Sequence, residues 1–221
     1  MTQRTALFTA LFALALLSGA PGLRAANPPA GQPQDQQSKP GEQSGDQPAE
    51  QPGESNPEEP DLASILAAFA KAKTGLADAV ATAEKEAGGG KAVDATFEPG
   101  EATPVYRVTV YRNNALWEGL YDADTGKATG SPSMTNESEL DDQEKKELAS
   151  VTDAKASLLD AIKTAETEVG GKTVDAGIEE HDGKVWYQIA VVKNGAVQPV
   201  LVDPATGKAQ PQSAAPPPAQ K

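Results

Sequence analysis

The feature that most constrains this chain is that its ordered part is written twice. "DAVATAEKEAGGGKAVDA" at 78–95 returns as "DAIKTAETEVGGKTVDA" at 160–176, one glycine shorter. From Lys91 and Lys172 onward the copies run without a gap to Lys127 and Lys208. Tyr106 then matches Tyr187, Val108 matches Ile189, Val110 matches Val191, Asn113 matches Asn194 and Asp122 matches Asp203. Such self-similarity means one supersecondary unit copied in tandem, so a fold assigned to one copy must serve both.

Each copy opens with a helical pattern. Ile65, Phe69, Ala72, Leu76, Val80, Ala83 and Ala87 recur at helical steps, as do Leu148, Val151, Leu158, Ile162, Ala165 and Val169. Asp61 after Pro60 suits an N-cap, and the acidic run 136–147 places Ser138 and Asp141 in capping-box spacing ahead of the second helix. Gly88-Gly89-Gly90 and Gly170-Gly171 stop the helices. Gly75 interrupts the first pattern at about 1 kcal/mol relative to alanine, a place for a break or kink.

Three strands follow in each copy. Val93, Ala95 and Phe97 alternate with polar neighbours, as do Val174, Ala176 and Ile178, the period of a strand with one buried face. "VYRVTVYR" (105–112) and "ALWEGLYD" (115–122) are joined by Asn113-Asn114, and the second copy uses Asn194-Gly195, a strong two-residue hairpin signal. Pairing across these turns sets Val110 opposite Trp117, Val108 opposite Gly119 and Tyr106 opposite Tyr121. In the second copy Val191 faces Gln198, Ile189 faces Val200 and Tyr187 faces Val202. Pro199 cannot donate to a ladder, which marks the last strand as an edge there. The expected fold class is α+β: two tandem repeats, each one helix packed on a three-stranded antiparallel meander.

The flanks are of a different kind. "ALFTALFALALL" (6–17) behind Arg4, followed by "SGAPGLRAA", has the layout of a signal peptide over 1–26. Its twelve apolar-dominated residues fall short of the roughly 18–20 that cross a bilayer, so no membrane span is expected after cleavage. The chain has no cysteine, hence no lipid attachment through one and no disulfide. Residues 27–60 are almost all Pro, Gln, Gly, Ser and acid, with seven acids against Lys39, and cannot bury enough apolar area to offset the entropy of ordering. The expected organisation is a signal peptide (1–26), a disordered linker (27–60), repeat one (61–130), a linker with repeat two (131–210) and a disordered tail (211–221). A secreted or periplasmic location follows. The net charge of −13 offers no footprint for nucleic acid and is repelled by anionic membranes.

Chemistry is scarce. "DADTGK" (122–127) begins like a calcium loop, with Asp122 and Asp124 as first ligands, but its twelfth position is Ser133 and the second copy, "DPATGK" (203–208), has Ala205 for Asp124. What the copies share is Asp, Thr, Gly and Lys, residues that shape a turn, and that reading is preferred to cation binding; the turn ends the last strand. His181, the sole histidine, sits in "EEHDGK" beside Glu179, Glu180 and Asp182, and is read as a solvated loop residue, since one histidine without a second His or Cys makes a poor metal site. There is no cysteine nucleophile, and "GGGK" (88–91) lacks the spacing of a phosphate loop. No catalytic, cofactor or metal residue is expected.

The helix "DA(V/I)xxA", the glycine-rich stop, the strand "VYRVTV" or "WYQIAV", the Asn-led hairpin and the closing "DxxTGK", in that order and twice over, resemble the PepSY domain of thermolysin-like protease propeptides and small exported bacterial proteins. The resemblance spans about 66–130 and 148–210. It implies a helix on a small antiparallel sheet and a non-enzymatic role in protein association, with inhibition of a secreted protease as one form. Nothing here matches HExxH, so any such action is in trans.

Parity assigns Val93, Phe97, Tyr106, Val108 and Val110 to the face under the helix. It leaves Tyr111, Leu116 and Leu120, with Ala190, Val192, Val197 and Leu201, on the other face. Tyr111, Leu116, Leu120, Val192, Val197 and Leu201 are therefore the candidate partner surface, covered either by the second repeat or by another exported or envelope protein, a protease included. Trp117 and Trp186 are either anchors or ordinary packing residues. The alternatives are a structural or stress-related envelope protein without a discrete ligand and a weak divalent-cation binder.

Overall fold

The helical pattern of each copy is carried by two helices rather than one. In the computed structural model, which describes residues 61–212 other than 101 and 182, the first copy has α1 (Leu62–Phe69) and α2 (Leu76–Glu86). The second has α3 (Asp142–Thr152) and α4 (Leu158–Val169). The break falls where the chain can restart a helix cheaply. Gly75 N-caps α2 while the Asp78 carboxylate accepts from its N–H, and Ser157 N-caps α4 with its Oγ accepting from the Asp160 N–H at 3.1 Å. α3 is capped by Asp141, whose carboxylate accepts from the N–H groups of Gln143 and Glu144; Ser138 lies instead in a 3-10 turn, Glu137–Glu139.

Each copy then makes four strands. These are β1 (Lys91–Glu98), β2 (Val105–Arg112), β3 (Ala115–Asp122) and β4 (Ala128–Asn136), and then β5 (Lys172–His181), β6 (Lys184–Lys193), β7 (Ala196–Val202) and β8 (Ala209–Pro211). The fold class is the expected mix of helix and antiparallel sheet, and the hairpin registers are those expected from the Asn-led turns, down to Val110–Trp117 and Ile189–Val200. Asn113, Asn114 and Asn194 all carry positive φ, which is why asparagine stands there. The fourth strands are the difference: the "DxxTGK" segment does not end the meander but turns it once more. Asp122 and Lys127 close the first of these hairpins, and Asp203 and Lys208 close the second, through N–H to carbonyl bonds of 2.9 and 3.0 Å. Pro199 lies where β8 runs out: its carbonyl still accepts from the Gln212 N–H at 2.8 Å, and with no N–H to return the bond the ladder ends there. Residues 211 and 212 thus belong to this last hairpin rather than to a tail. The signal segment, the linker to residue 60 and the chain from 213 lie outside the described residues.

All eight strands form one sheet, in the order β4-β3-β2-β1-β5-β6-β7-β8. The repeats are joined edge to edge by antiparallel pairing of β1 with β5, and Ala95 sits opposite Ala176. Those two alanines are equivalent positions of the duplication, so a local two-fold axis passes between them. The second faces of the repeats therefore lie side by side rather than stacked on one another.

α2 packs on β1, β2 and β5, and α4 on β5 to β8 and β1, so both repeats feed a single hydrophobic core. Leu76, Val80 and Ala83 of α2 and Leu158, Ile162 and Ala165 of α4 meet Val93, Phe97, Tyr106, Val108, Val174, Ile178, Tyr187 and Ile189, all buried. Phe97 is held edge-on between Phe69 and Tyr106, with ring centroids 5.2 and 5.7 Å away. The polar fittings are duplicated too. Tyr106 Oη donates to the Thr74 carbonyl at 2.7 Å and Tyr187 Oη to the Ala156 carbonyl at 2.9 Å. Glu84 accepts from the Ala92 N–H and Glu166 from the Thr173 N–H, at the bulge where each first strand starts. Arg112 donates to the Ala87 carbonyl and Lys193 to that of Val169, each a cation at a helix C-terminus. Among the described side chains, the Thr173 hydroxyl is the one buried polar group left without a hydrogen-bond partner.

Candidate functional site

Strand parity divides the ladder residues between two faces, and the face turned from α2 and α4 carries the exposed chemistry. Two rows of neighbours run there from β4 to β7. One runs Thr129, Leu120, Arg107, Thr96, Asp175, Ala190, Pro199; the other runs Ser133, Glu118, Thr109, Asp94, Gly177, Gln188, Leu201. Most of these side chains are half-buried, whereas the alternate positions on the helix face are sealed. The face is therefore open, with a polar middle.

The six residues expected to form a partner surface all fall on this face, but not as one patch. Tyr111 lies directly across from Leu116, and Val192 across from Val197, yet the two pairs sit at opposite ends of the strands because β1 and β5 are antiparallel. Leu120 and Leu201 occupy the wings of the two polar rows. Tyr111, Leu120, Val192, Val197 and Leu201 are half-buried, while Leu116 is only 5% exposed and presents little to a partner. Tyr111 Oη donates to Glu137 at 2.6 Å, and that carboxylate also accepts from Asn114 Nδ2 at 2.8 Å, which fixes the ring and holds the Glu137 acid below its usual range.

Between the wings lies the charge. Arg107 is clamped by Glu98 through two bonds, 2.7 and 3.0 Å, and by Glu118 at 3.1 Å, and these carboxylates raise its already high proton affinity. Asp94 and Asp175 lie beside the two-fold axis. Burial is the main cause that pushes both carboxyls up, Asp175 to about 6 and Asp94 well above its ordinary range, and the charge of Asp175 adds to the rise at Asp94. Sequence reading passed over both as the polar half of an alternating strand. The signal that could have found them is that the duplication preserves an aspartate at the same strand position, 94 and 175.

The remaining candidates resolve as structure. Asp122 Oδ1 accepts from the N–H groups of Asp124 and Thr125 and from the Thr125 hydroxyl, at 3.0, 2.7 and 2.9 Å, and these bonds hold its acid below the usual range. Asp203 makes the equivalent bond to the Ala205 N–H and pairs with Lys184. Each aspartate spends its Oδ1 on the turn, and Asp203 Oδ2 goes to Lys184 of β6. His181 is at the end of β5 rather than in a loop, half-buried, with Nε2 3.0 Å from Gln188 Oε1 and 3.6 Å from the Glu179 carboxylate. Among the described residues no group of three or more His, Asp or Glu side chains gathers as a metal would require. The two tryptophans part company. Trp117, opposite Val110, lays its ring over Gly119 against the core, where a Cβ would come within 2.6 Å of it. Trp186 is on the open face beneath the Lys184 ammonium, 4.0 Å from the ring centre. No helix among the described residues is long and apolar enough to cross a membrane.

Compared with known proteins, the chain matches the sequence model of the PepSY family, "Peptidase propeptide and YPEB domain", at residues 75–131 and 155–210. The matches take in α2 with β1 to β4 and α4 with β5 to β8, and leave α1 and α3 outside. A solved structure with some likeness is that of a candidate lipoprotein from Clostridium difficile 630, 18% identical, with a TM-score of 0.35, covering 64% of this chain and 95% of that one. No curated protein matches the chain.

Proposed function

The chain belongs to the PepSY family, with two copies of the family's domain, and on that premise we propose that it is an exported, non-enzymatic protein-binding module that docks another secreted or envelope protein on the open face of its sheet. The family's description as a peptidase propeptide domain makes a secreted protease the first partner to try, and inhibition in trans the first activity. The signal-peptide layout of residues 1–26 supports the location.

The observation that carries the reading is the asymmetry of the sheet. One face is sealed by α2 and α4, and the other presents Tyr111, Leu120, Val192, Val197 and Leu201 half-buried around a charged middle. Apolar wings around fixed charge supply area for affinity and charges for orientation, the division of labour of a docking surface.

The test uses capture from an exported proteome, followed by a protease assay on what is captured. Leu120→Lys with Leu201→Lys places two charges on the face without touching the core. We expect the thermal midpoint to stay within a few degrees while a protein held by the parent chain is lost, with binding weakened about tenfold or more. Equal capture by parent and variant would remove this face from consideration.

A further inference from the structure

The seam between the repeats is the shortest full junction in the sheet's interior, three facing pairs: Asp94–Gly177, Ala95–Ala176 and Thr96–Asp175. On the helix face it is closed by two buried alanines. On the other face the two-fold axis brings together two like-charged side chains, Asp94 and Asp175, one on each strand. They are equivalent in sequence but not in surroundings. Asp175 faces Thr96, whose side chain favours the charged carboxylate, whereas Asp94 faces Gly177, which has nothing to offer. The register sets the two side chains diagonally across the seam, and among the described residues the cations around them are engaged elsewhere. Arg107 from β2 is committed to Glu98 of β1 and Glu118 of β3, and Lys91 of β1 donates to the carbonyls of Val151, Thr152 and Ala154 at the end of α3. Glu98, Glu118 and Asp175 oppose the charge on Asp94, against Arg107 alone. On β5, Glu179 opposes that on Asp175, and Glu179 in turn meets His181 and Glu147 of α3. From β6 the seam receives only the uncharged Gln188 and Ala190.

We propose that Asp94 and Asp175 make the seam a pH-sensitive joint, closed tightly while the pair holds a proton and loosened once both carboxylates are charged. Asp94, lacking a hydroxyl opposite it, is the site that keeps the proton. The direction follows from linkage. Both groups bind protons more tightly in the folded chain than at the ordinary 3.8, so their contribution to stability is full below about 4 and is lost as pH rises through their folded values, about 6 for Asp175 and well above the ordinary range for Asp94. The seam joins the two halves of the open face, so its state sets how those halves are held relative to each other. This inference does not need a partner and stands or falls separately from the binding role.

The experiment uses the full chain. Carboxyl carbon chemical shifts of Asp94 and Asp175, followed by NMR from pH 3 to pH 8, report the proton directly. Amide exchange at 94–96 and 175–177, corrected for its intrinsic pH dependence, reports the joint. We expect at least one of the two aspartates to titrate near pH 6, and seam amides to lose about tenfold in protection between pH 5 and pH 7.5 while the β2–β3 ladder keeps its own. Asp94→Asn is expected to abolish that difference. Titration of both groups below about 4.5, or seam protection that does not change with pH, overturns the proposal, and the first of these needs no variant to fold.

Discussion

Thr173 shows how a duplicated side chain position can cost something. Its N–H is used, donated to Glu166 at 2.9 Å, but its hydroxyl is sealed among apolar neighbours, and the first copy has Ala92 at the same place. A buried hydroxyl without a partner is penalised by about 1–3 kcal/mol. Thr173→Val keeps the shape and removes the penalty, so we expect stability to rise by about 1 kcal/mol, read as a higher urea midpoint with an unchanged slope. Asp122 is the opposite case. It looked like a ligand because aspartates recur at calcium-loop spacing, but its donors come from its own turn at Asp124 and Thr125. The missing twelfth ligand and the Ala205 of the second copy had already made the turn the better reading. Asp94 and Asp175 were not legible in the same way. Alternation tells which face a residue takes, not which strand will lie beside it, and their proximity arises from a pairing between copies.

At the level of elements, what local chemistry encodes was read and what it does not encode was missed. Asn113-Asn114 and Asn194-Gly195 accept positive φ, and that alone set the register of both hairpins. The break between α3 and α4 was overlooked because apolar periodicity runs straight across it, although Ser157 and Asp160 spell a capping box. That box can be weighed: Ser157→Ala should cost about 1 kcal/mol in chemical unfolding, with Ser157→Asp, which can still cap, recovering most of it. β4, "ATGSPSMTN", has neither alternation nor β-branched density, and its pattern is exposed almost throughout. It is a strand because the turn delivers it to the open side of β3, and being on the edge it needs no buried face. Gly130, at φ 73, and Pro132 roughen that edge, which discourages another chain from adding to it.

For the molecule as a whole, a shared core makes the repeats one folding unit. α2 touches β5 and α4 touches β1, so neither copy completes its interior alone. Each repeat carries one tryptophan, Trp117 or Trp186, and this gives a direct check. In Trp117→Phe the fluorescence follows the second repeat and in Trp186→Phe the first, and in each variant the fluorescence and far-UV circular dichroism midpoints should coincide. Separate midpoints would mean that the copies melt independently. The two-fold seam has one more consequence. Had the sheet been assembled from two identical chains, any substitution would fall on both wings at once. Fusion releases the halves from that bond, and they have drifted: Arg107 answers to Gln188, Glu118 to Pro199, Thr96 to Gly177. A scaffold born symmetric thus shows two unlike profiles on its open face.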